Sequence, residues 1–286
     1  MCTAASAVAA PPPDNEEAQR VVELVSHLNI NSSKGAGAMM AQAAMEMLGT
    51  PYTAGLLDPE GPETLRIPFF ETDCMIFVET CLAAVLTAKD DSPSYEKLLE
   101  NVRRIRYRAP EVEAASGKDL HPVSYETRLH YATGWIRNLV KEGIAEDLTM
   151  DTGGVRSSTK LDFMSRNYKK YRQMAAADTD PEAAARLEAV SNMEKSLNEE
   201  AMTYIPKALI HAIDGEIMDG DIIFFTTSTA GLDVSHMAIA YRHDGVAGFI
   251  HASSNAGEVI LDDNSISDYA LSRKTCTGIK IVRVKD

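Results

Sequence analysis

The chain has 286 residues, 45% of them hydrophobic, with 28 basic against 42 acidic side chains and a formal charge of −14. This length can fill one large domain or two small ones, and the acidity argues against sequence-independent binding to nucleic acid or anionic lipid. Every uncharged apolar run falls short of the ~20 residues that a spanning helix requires, so no integral membrane segment is expected.

The first segment, Met1 to Ala10, is small and apolar and ends in an Ala7-Val8-Ala9 step before Pro11-Pro12-Pro13. It lacks a basic region and a long hydrophobic stretch, so residues 1–14 read either as a signal-peptide remnant or as a disordered leader. Residues 15–286 are expected to form a single domain. Its first helix runs from Asn15 to Leu28, with Val21, Val22, Leu24, Val25 and Leu28 on one stripe. A second runs from Ala36 to Leu48 and stops at Gly49. Gly49-Thr50-Pro51-Tyr52-Thr53-Ala54-Gly55 is a turn-rich connection.

The run Thr72-Asp73-Cys74-Met75-Ile76-Phe77-Val78-Glu79 then begins a helix reaching about Ala88. Asp73 is a capping residue, so Cys74 stands at a helix start, where free N–H groups and the helix dipole stabilise a thiolate. A lowered thiol pKa is therefore expected. Four cysteines, Cys2, Cys74, Cys81 and Cys276, are too few for a disulfide scaffold, and no C-x-x-C pair is present. Cys81 lies two turns beyond Cys74, roughly 10 Å away at 1.5 Å per residue, and reads as a core residue.

From about 92 to 205 the pattern is helical, with helices expected over Ser94 to Ile105, Ser124 to Val140, Asp162 to Tyr171 and Pro181 to Met202, and no strand-like alternation. Arg103, Arg104, Arg106 and Arg108 read as a solvated helix end with cations near the C-terminal dipole. Trp135 and Tyr131 fit either stacking on a sugar ring or core packing. From about 214 to 286 the chain turns to short β-rich runs: Asp221 to Thr226, His236 to Tyr241, Ala247 to His251, Val259 to Leu261 and Thr277 to Val284. Helices followed by a late antiparallel sheet make an α+β fold, with the Cys74 helix packed on the sheet.

An early cysteine at a helix start and two strand histidines, His236 and His251, are the parts of a cysteine hydrolase. His236 is expected to be the general base and His251 to fix its tautomer. A zinc site from the same three residues is chemically possible, but no local ligand pair such as H-x-x-x-H anchors it, so neither a metal nor a cofactor is expected. His27, His121, His211 and His243 read as surface or packing residues. His130 fits either packing or a pocket wall.

These motifs resemble the NlpC-type superfamily of cell-wall cysteine peptidases. The similarity is carried by Gly49-Thr50-Pro51-Tyr52, Asp73-Cys74, Gly220-Asp221-Ile222-Ile223-Phe224-Phe225, Ser235-His236-Met237-Ala238-Ile239-Ala240-Tyr241 and Ile250-His251-Ala252-Ser253. The closer resemblance is to a branch formerly known only as a domain of unknown function. It lies in Phe77-Val78-Glu79-Thr80, Ile105-Arg106-Tyr107-Arg108, Arg128-Leu129-His130-Tyr131, Trp135, Asp162-Phe163-Met164-Ser165 and His251-Ala252-Ser253-Ser254. The resemblance implies a papain-like core with a helical insertion and an N-acetylmuramoyl-L-alanine amidase preferring 1,6-anhydro-muropeptides. It further implies Cys74 as nucleophile, His236 as base, His251 as orienting residue and Tyr52 beside the oxyanion. Arg128, His130, Tyr131 and Ser253 are the expected substrate-binding residues.

Two departures stand out: Ala54-Gly55-Leu56 replaces a glycine pair after the tyrosine, and Met75 and Ile76 replace hydroxyl residues after the cysteine. The implied partners are peptidoglycan fragments, with no nucleic acid, and the implied setting is the bacterial cell envelope, for a monomer. Competing expectations are a γ-D-glutamyl-diaminoacid endopeptidase and a non-enzymatic wall-binding module.

Overall fold

A computed structural model describes residues 15–30, 34–58, 60–109 and 121–286. Residues 1–14, and with them the leader reading, lie outside the described residues. Helix α1 (Asn15–Ile30) buries Leu24, Val25 and Leu28, and α2 (Ala36–Glu46) buries Met39, Met40, Ala43 and Ala44. Both pack on α3 (Cys74–Ala88), which is buried all round from Ile76 to Val85, the pattern of a helix enclosed by other elements. Helix α4 (Tyr95–Arg106) is capped by Ser94, whose Oγ accepts from the Lys97 N–H at 3.1 Å. Thr87 Oγ1 donates to Ala83 O at 2.7 Å and accepts from Asn101 Nδ2 at 3.0 Å, tying α3 to α4 inside the core.

Helix α5 (Ala132–Lys141) begins later than the expected Ser124. The preceding backbone is used elsewhere: Arg108 N donates to Thr127 O at 2.8 Å and Leu129 N to Arg106 O at 2.9 Å. This antiparallel bridge holds residues 127–129 extended. Helix α6 (Phe163–Arg166) and a 3-10 turn at Tyr168–Lys170 replace the single helix expected over Asp162 to Tyr171, and α7 (Pro181–Leu197) starts at the Asp180 cap.

Among the described residues, eight strands form one antiparallel sheet. They are β1 (Ala145–Asp147), β2 (Val155–Arg156), β3 (Thr203–Pro206), β4 (Ile222–Thr227), β5 (Val234–His243), β6 (Val246–Ser253), β7 (Glu258–Leu261) and β8 (Cys276–Val284). The order is β2-β3-β8-β4-β5-β6-β7, with β1 also on β8. The last five match the β-rich runs of the sequence. The first three correct the expectation of a strand-free helical segment. They are too short to display an alternating pattern, and β1 and β3 exist by pairing with the distant β8.

The sheet divides two cores. Ile222, Phe224, Met237, Ile239, Ile250 and Ala252 face the helices, and Trp135 lies against Phe224 with ring centroids 5.9 Å apart. Ile223, Phe225, Ala238, Ala240 and Phe249 face the other way, onto α8 (Ile266–Ser272). Strand β4 is buried along its whole length because both faces are covered. Gly220, at φ +84, is required where it stands, since a Cβ there would lie 2.0 Å from Gly37 O in α2. The next residue, Asp221, is buried and pairs with Arg283 at 2.8 Å, so this Gly-Asp motif locks α2 onto the sheet. No described helix is long and apolar enough to cross a membrane.

Candidate active site

Residues before α3 are held as if in a small sheet. Gly49 N donates to Val259 O at 2.9 Å and Val259 N to Thr50 O at 2.9 Å, while Tyr52 N donates to Gly257 O at 2.8 Å. On the other side Thr72 N donates to Pro51 O at 2.9 Å and Thr53 N to Thr72 O at 2.8 Å. The Tyr52 segment is thus fixed between β7 and the entrance to α3. Burial, and the charges Cys74 and Asp73 would carry, raise the Tyr52 phenol, so the ring is near both.

Asp73 is extended, at φ −115, and its carboxylate accepts from Met75 N at 3.0 Å and Ile76 N at 2.9 Å. Cys74 is the first helical residue and is partly buried. The peptide N–H of Met237, the residue after His236 in β5, is close enough to the thiol to pull its pKa down. The helix start and the histidine strand therefore come together at one strand position.

The protonation balance differs from the expectation of a depressed thiol. Burial, followed by the neighbouring Asp73 charge, pushes the Cys74 thiol up to about 12, against the opposing pull of the peptide N–H groups of Met237, Cys74 and Met75. Burial, then the charges of His251 and Arg273, pull His236 down to about 3, while Asp262 opposes them. Both shifts favour the uncharged form, a thiol at Cys74 and a neutral imidazole at His236. The dipole that the sequence suggests is outweighed by removal of the thiol from water and by an anion at the capping position.

His236 Nε2 lies 2.6 Å from His251 Nδ1, with the rings nearly perpendicular at 84°. His251 is only 2% exposed, and its Nε2 lies 3.2 Å from Asp262 Oδ2, at ion-pair distance without hydrogen-bond alignment. A carboxylate at that nitrogen favours the proton there. His251 Nδ1 then accepts from His236 Nε2–H, and His236 Nδ1 is left as the free basic nitrogen. Burial lowers the pKa of His251, with Asp262 opposing. Sequence reasoning missed Asp262. In the β6–β7 hairpin His251 pairs with Ile260, so the residue two further on returns to the same face. That register was the available signal.

The other expected contact residues have mixed fates. Arg128 is 8% exposed and spends its guanidinium on Glu63 at 3.1 Å, on Leu57 O and over the Tyr125 ring at 4.9 Å. Tyr131 is 1% exposed and donates its hydroxyl to Glu194 at 2.6 Å. Both side chains are engaged in contacts within the fold, and Tyr131 also borders the cavity lined by His130. His130 Nε2 meets Tyr125 O at 2.7 Å, and burial, then the Arg128 charge, pulls His130 down to about 3. It does line a cavity of about 200 Å³ between α5 and α7, together with Arg108, Arg137 and Lys141. Ser253 Oγ accepts from Ala256 N at 3.2 Å and shapes the turn after β6.

Arg106 also departs from expectation. Instead of forming a solvated helix end it is fully buried, bonded to Glu79 Oε2 at 2.7 Å and to Arg66 O at 2.6 Å. Trp135 is in the core, and Cys81 is buried with its sulfur 3.6 Å from Met47 Sδ. Among the described residues no group of three or more His, Cys, Asp and Glu side chains is disposed to hold a metal ion.

A helical layer on an antiparallel sheet, with a capped cysteine helix entering beside a histidine strand, is an α+β architecture. Residues 42–279 match the model of the AmiA-like family, described as N-acetylmuramoyl-L-alanine amidase-like, and the chain belongs to that family. It is similar to an N-acetylmuramoyl-L-alanine amidase from Bacteroides uniformis ATCC 8492, at 34% identity and a TM-score of 0.76 over 88% of this chain and 99% of that one. A Bacteroides fragilis protein provisionally named a xylanase matches at 34% identity and a TM-score of 0.73, over 84% of this chain and 99% of that one. A Legionella pneumophila protein of the DUF1460 family shares the fold at 22% identity and a TM-score of 0.67, over 94% and 96% of the two chains. No curated protein matches.

Proposed function

We propose that the protein is a cysteine-dependent amidase that splits the bond between the lactyl group of N-acetylmuramic acid and L-Ala of the stem peptide. The observation that carries this reading is the relay Asp262, His251, His236, on the strand whose next peptide N–H, that of Met237, acts on the Cys74 thiol. The family and the name of the Bacteroides uniformis neighbour supply the bond class.

Cys74 sulfur attacks the lactyl carbonyl carbon as its proton passes to His236 Nδ1. Because thiol and imidazole rest neutral, proton transfer accompanies formation of the S–C bond. The developing oxyanion is met by the Cys74 peptide N–H and the Tyr52 hydroxyl, each such donor commonly contributing about 10²- to 10³-fold in rate. The C–N bond then breaks, and His236 gives its proton to the L-Ala amine. Water, deprotonated by the same nitrogen, hydrolyses the thioester, releasing the muramic acid carboxylate and restoring the thiol. His251 and Asp262 hold His236 in the tautomer this cycle needs.

The substrates in this reading are muropeptides, with the 1,6-anhydro form preferred, encountered in the cell envelope. Digestion of purified anhydro- and reducing-end muropeptides, read by mass spectrometry, tests it. Separate sugar and intact stem peptide are expected, at higher yield from the anhydro form. Cuts only within the peptide would replace this reading with an endopeptidase.

A further inference from the structure

His236 has a second neighbourhood that the bond-breaking steps do not use. Its ring lines an open, mainly polar cleft of about 220 Å³ with Ser235, Ser254, Asn255, Arg273 and Thr275. The hydroxyl and amide groups come from three separate places: the start of β5, the turn after β6, and the link from α8 to β8. Arg273 is the cation among them. Its guanidinium sits over the Tyr269 ring, 4.6 Å from the centroid, and that ring lies 6.1 Å from His236 and 5.9 Å from His251. Lys207 Nζ donates to Arg273 O at 3.3 Å, behind the lining of the cleft. In a chain of net charge −14, a cation lining the cleft that contains the histidine favours an anionic ligand there.

The guanidinium lies over the Tyr269 ring and also interacts with its hydroxyl, and its remaining N–H groups can meet a carboxylate in pairs. Among the described side chains, none forms an ion pair with Arg273. The reach of its charge is visible at both histidines, whose pKa values it lowers.

We propose that Arg273 binds a carboxylate of the departing peptide and sets the preference of the enzyme for acidic stem peptides. This rests on the amidase reading above: His236 protonates the leaving amine, so the peptide leaves from the side of the imidazole, and the cleft lined by His236 receives it. Ser254 and Asn255 supply neutral donors for the other carboxylate oxygen or the peptide backbone. No chemical step is added, and Arg273 acts on specificity.

The test compares two substrates of wild type and Arg273→Gln: a muramoyl-L-alanyl peptide with free carboxylates, and the same compound with them amidated. Wild type should favour the acidic substrate in kcat/KM by at least about tenfold, the scale of one charge-assisted hydrogen bond. Arg273→Gln should lose most of that preference, chiefly through KM, and Arg273→Lys should keep part of it. A wild-type ratio near one overturns the assignment without any variant, and so does an Arg273→Gln enzyme that retains the wild-type ratio. If wild type cleaves neither compound, the amidase reading fails separately. Calorimetric binding of the free acidic peptide to wild type and to Arg273→Lys then decides the inference, with no heat in wild type overturning it.

Discussion

Two polar places on the same helix behave in opposite ways. At the first turn of α3, Asp73 and Cys74 lie at a boundary, where the cap satisfies two N–H groups and the thiol remains beside a histidine strand. Further along, Glu79 is wholly enclosed and bonded to Arg106, which in turn holds Arg66 O. Nearby, Glu63 takes both Arg128 and the Tyr107 hydroxyl, the latter at 2.9 Å. The sequence presents both places as charged or reactive residues in recognisable motifs. Only the first leaves a reactive group unspent. The lesson is that motif residues divide into those that react and those that make the reacting geometry stiff, and burial with an ion-pair partner marks the second kind.

The largest expected effect separates the two places by removing chemistry alone. Cys74→Ala should lower kcat by about 10⁴-fold or more while leaving the thermal midpoint nearly unchanged, as read by initial rates and calorimetry. Wild-type turnover in that variant would end the mechanism. Glu79→Ala should do the reverse. Leaving Arg106 charged and unpaired in the core should cost about 3–5 kcal/mol of stability, measured by urea unfolding. A variant with wild-type stability would show that the pair is not structural.

A smaller effect is expected at the edge of the reactive place. Asp262→Asn keeps shape but removes the charge facing His251, so kcat should fall by about tenfold, below the 10²- to 10⁴-fold typical of a group that transfers the proton. A loss as great as that of Cys74→Ala would make Asp262 part of the proton path.

Protonation sharpens the comparison further. His236 must be neutral to accept a proton, so activity should fall on the acid side and show no loss at mildly alkaline pH, where an imidazolium-dependent pair would fail. An alkaline limb there would restore the expectation of a lowered thiol pKa. Stability should follow the same sign. His130 and His236 are lowered from 6.5 to about 3, so the unfolded chain binds more protons between those values. Their contribution is complete above 6.5 and is lost as pH falls toward 3, which thermal melts across that window would register. The smallest effect is none: dialysis against a chelator should leave the rate unaltered, and loss of activity restored by zinc would replace the thiol mechanism.

Much of this molecule was legible in the chain itself. Capping at Asp73 and the apolar run behind it fixed the start of α3 to the residue, because both signals are local. The strands from Ile222 to Val284 were read within a residue or two from their apolar alternation and turn residues. The Cys74, His236 and His251 candidates came from those same local patterns.

Tertiary structure decided what required two distant segments. Asp262 reached His251 only through the β6–β7 register, Arg106 found Glu79 across the α3–α4 interface, and β1 and β3 became strands by pairing with β8. The protonation of Cys74 belongs here too, since helix position favours the thiolate but burial and Asp73 oppose it. A sequence records which groups are present. Desolvation and pairing depend on what the folded chain brings within a few ångströms, and these set which groups are spent on the fold and which remain to react.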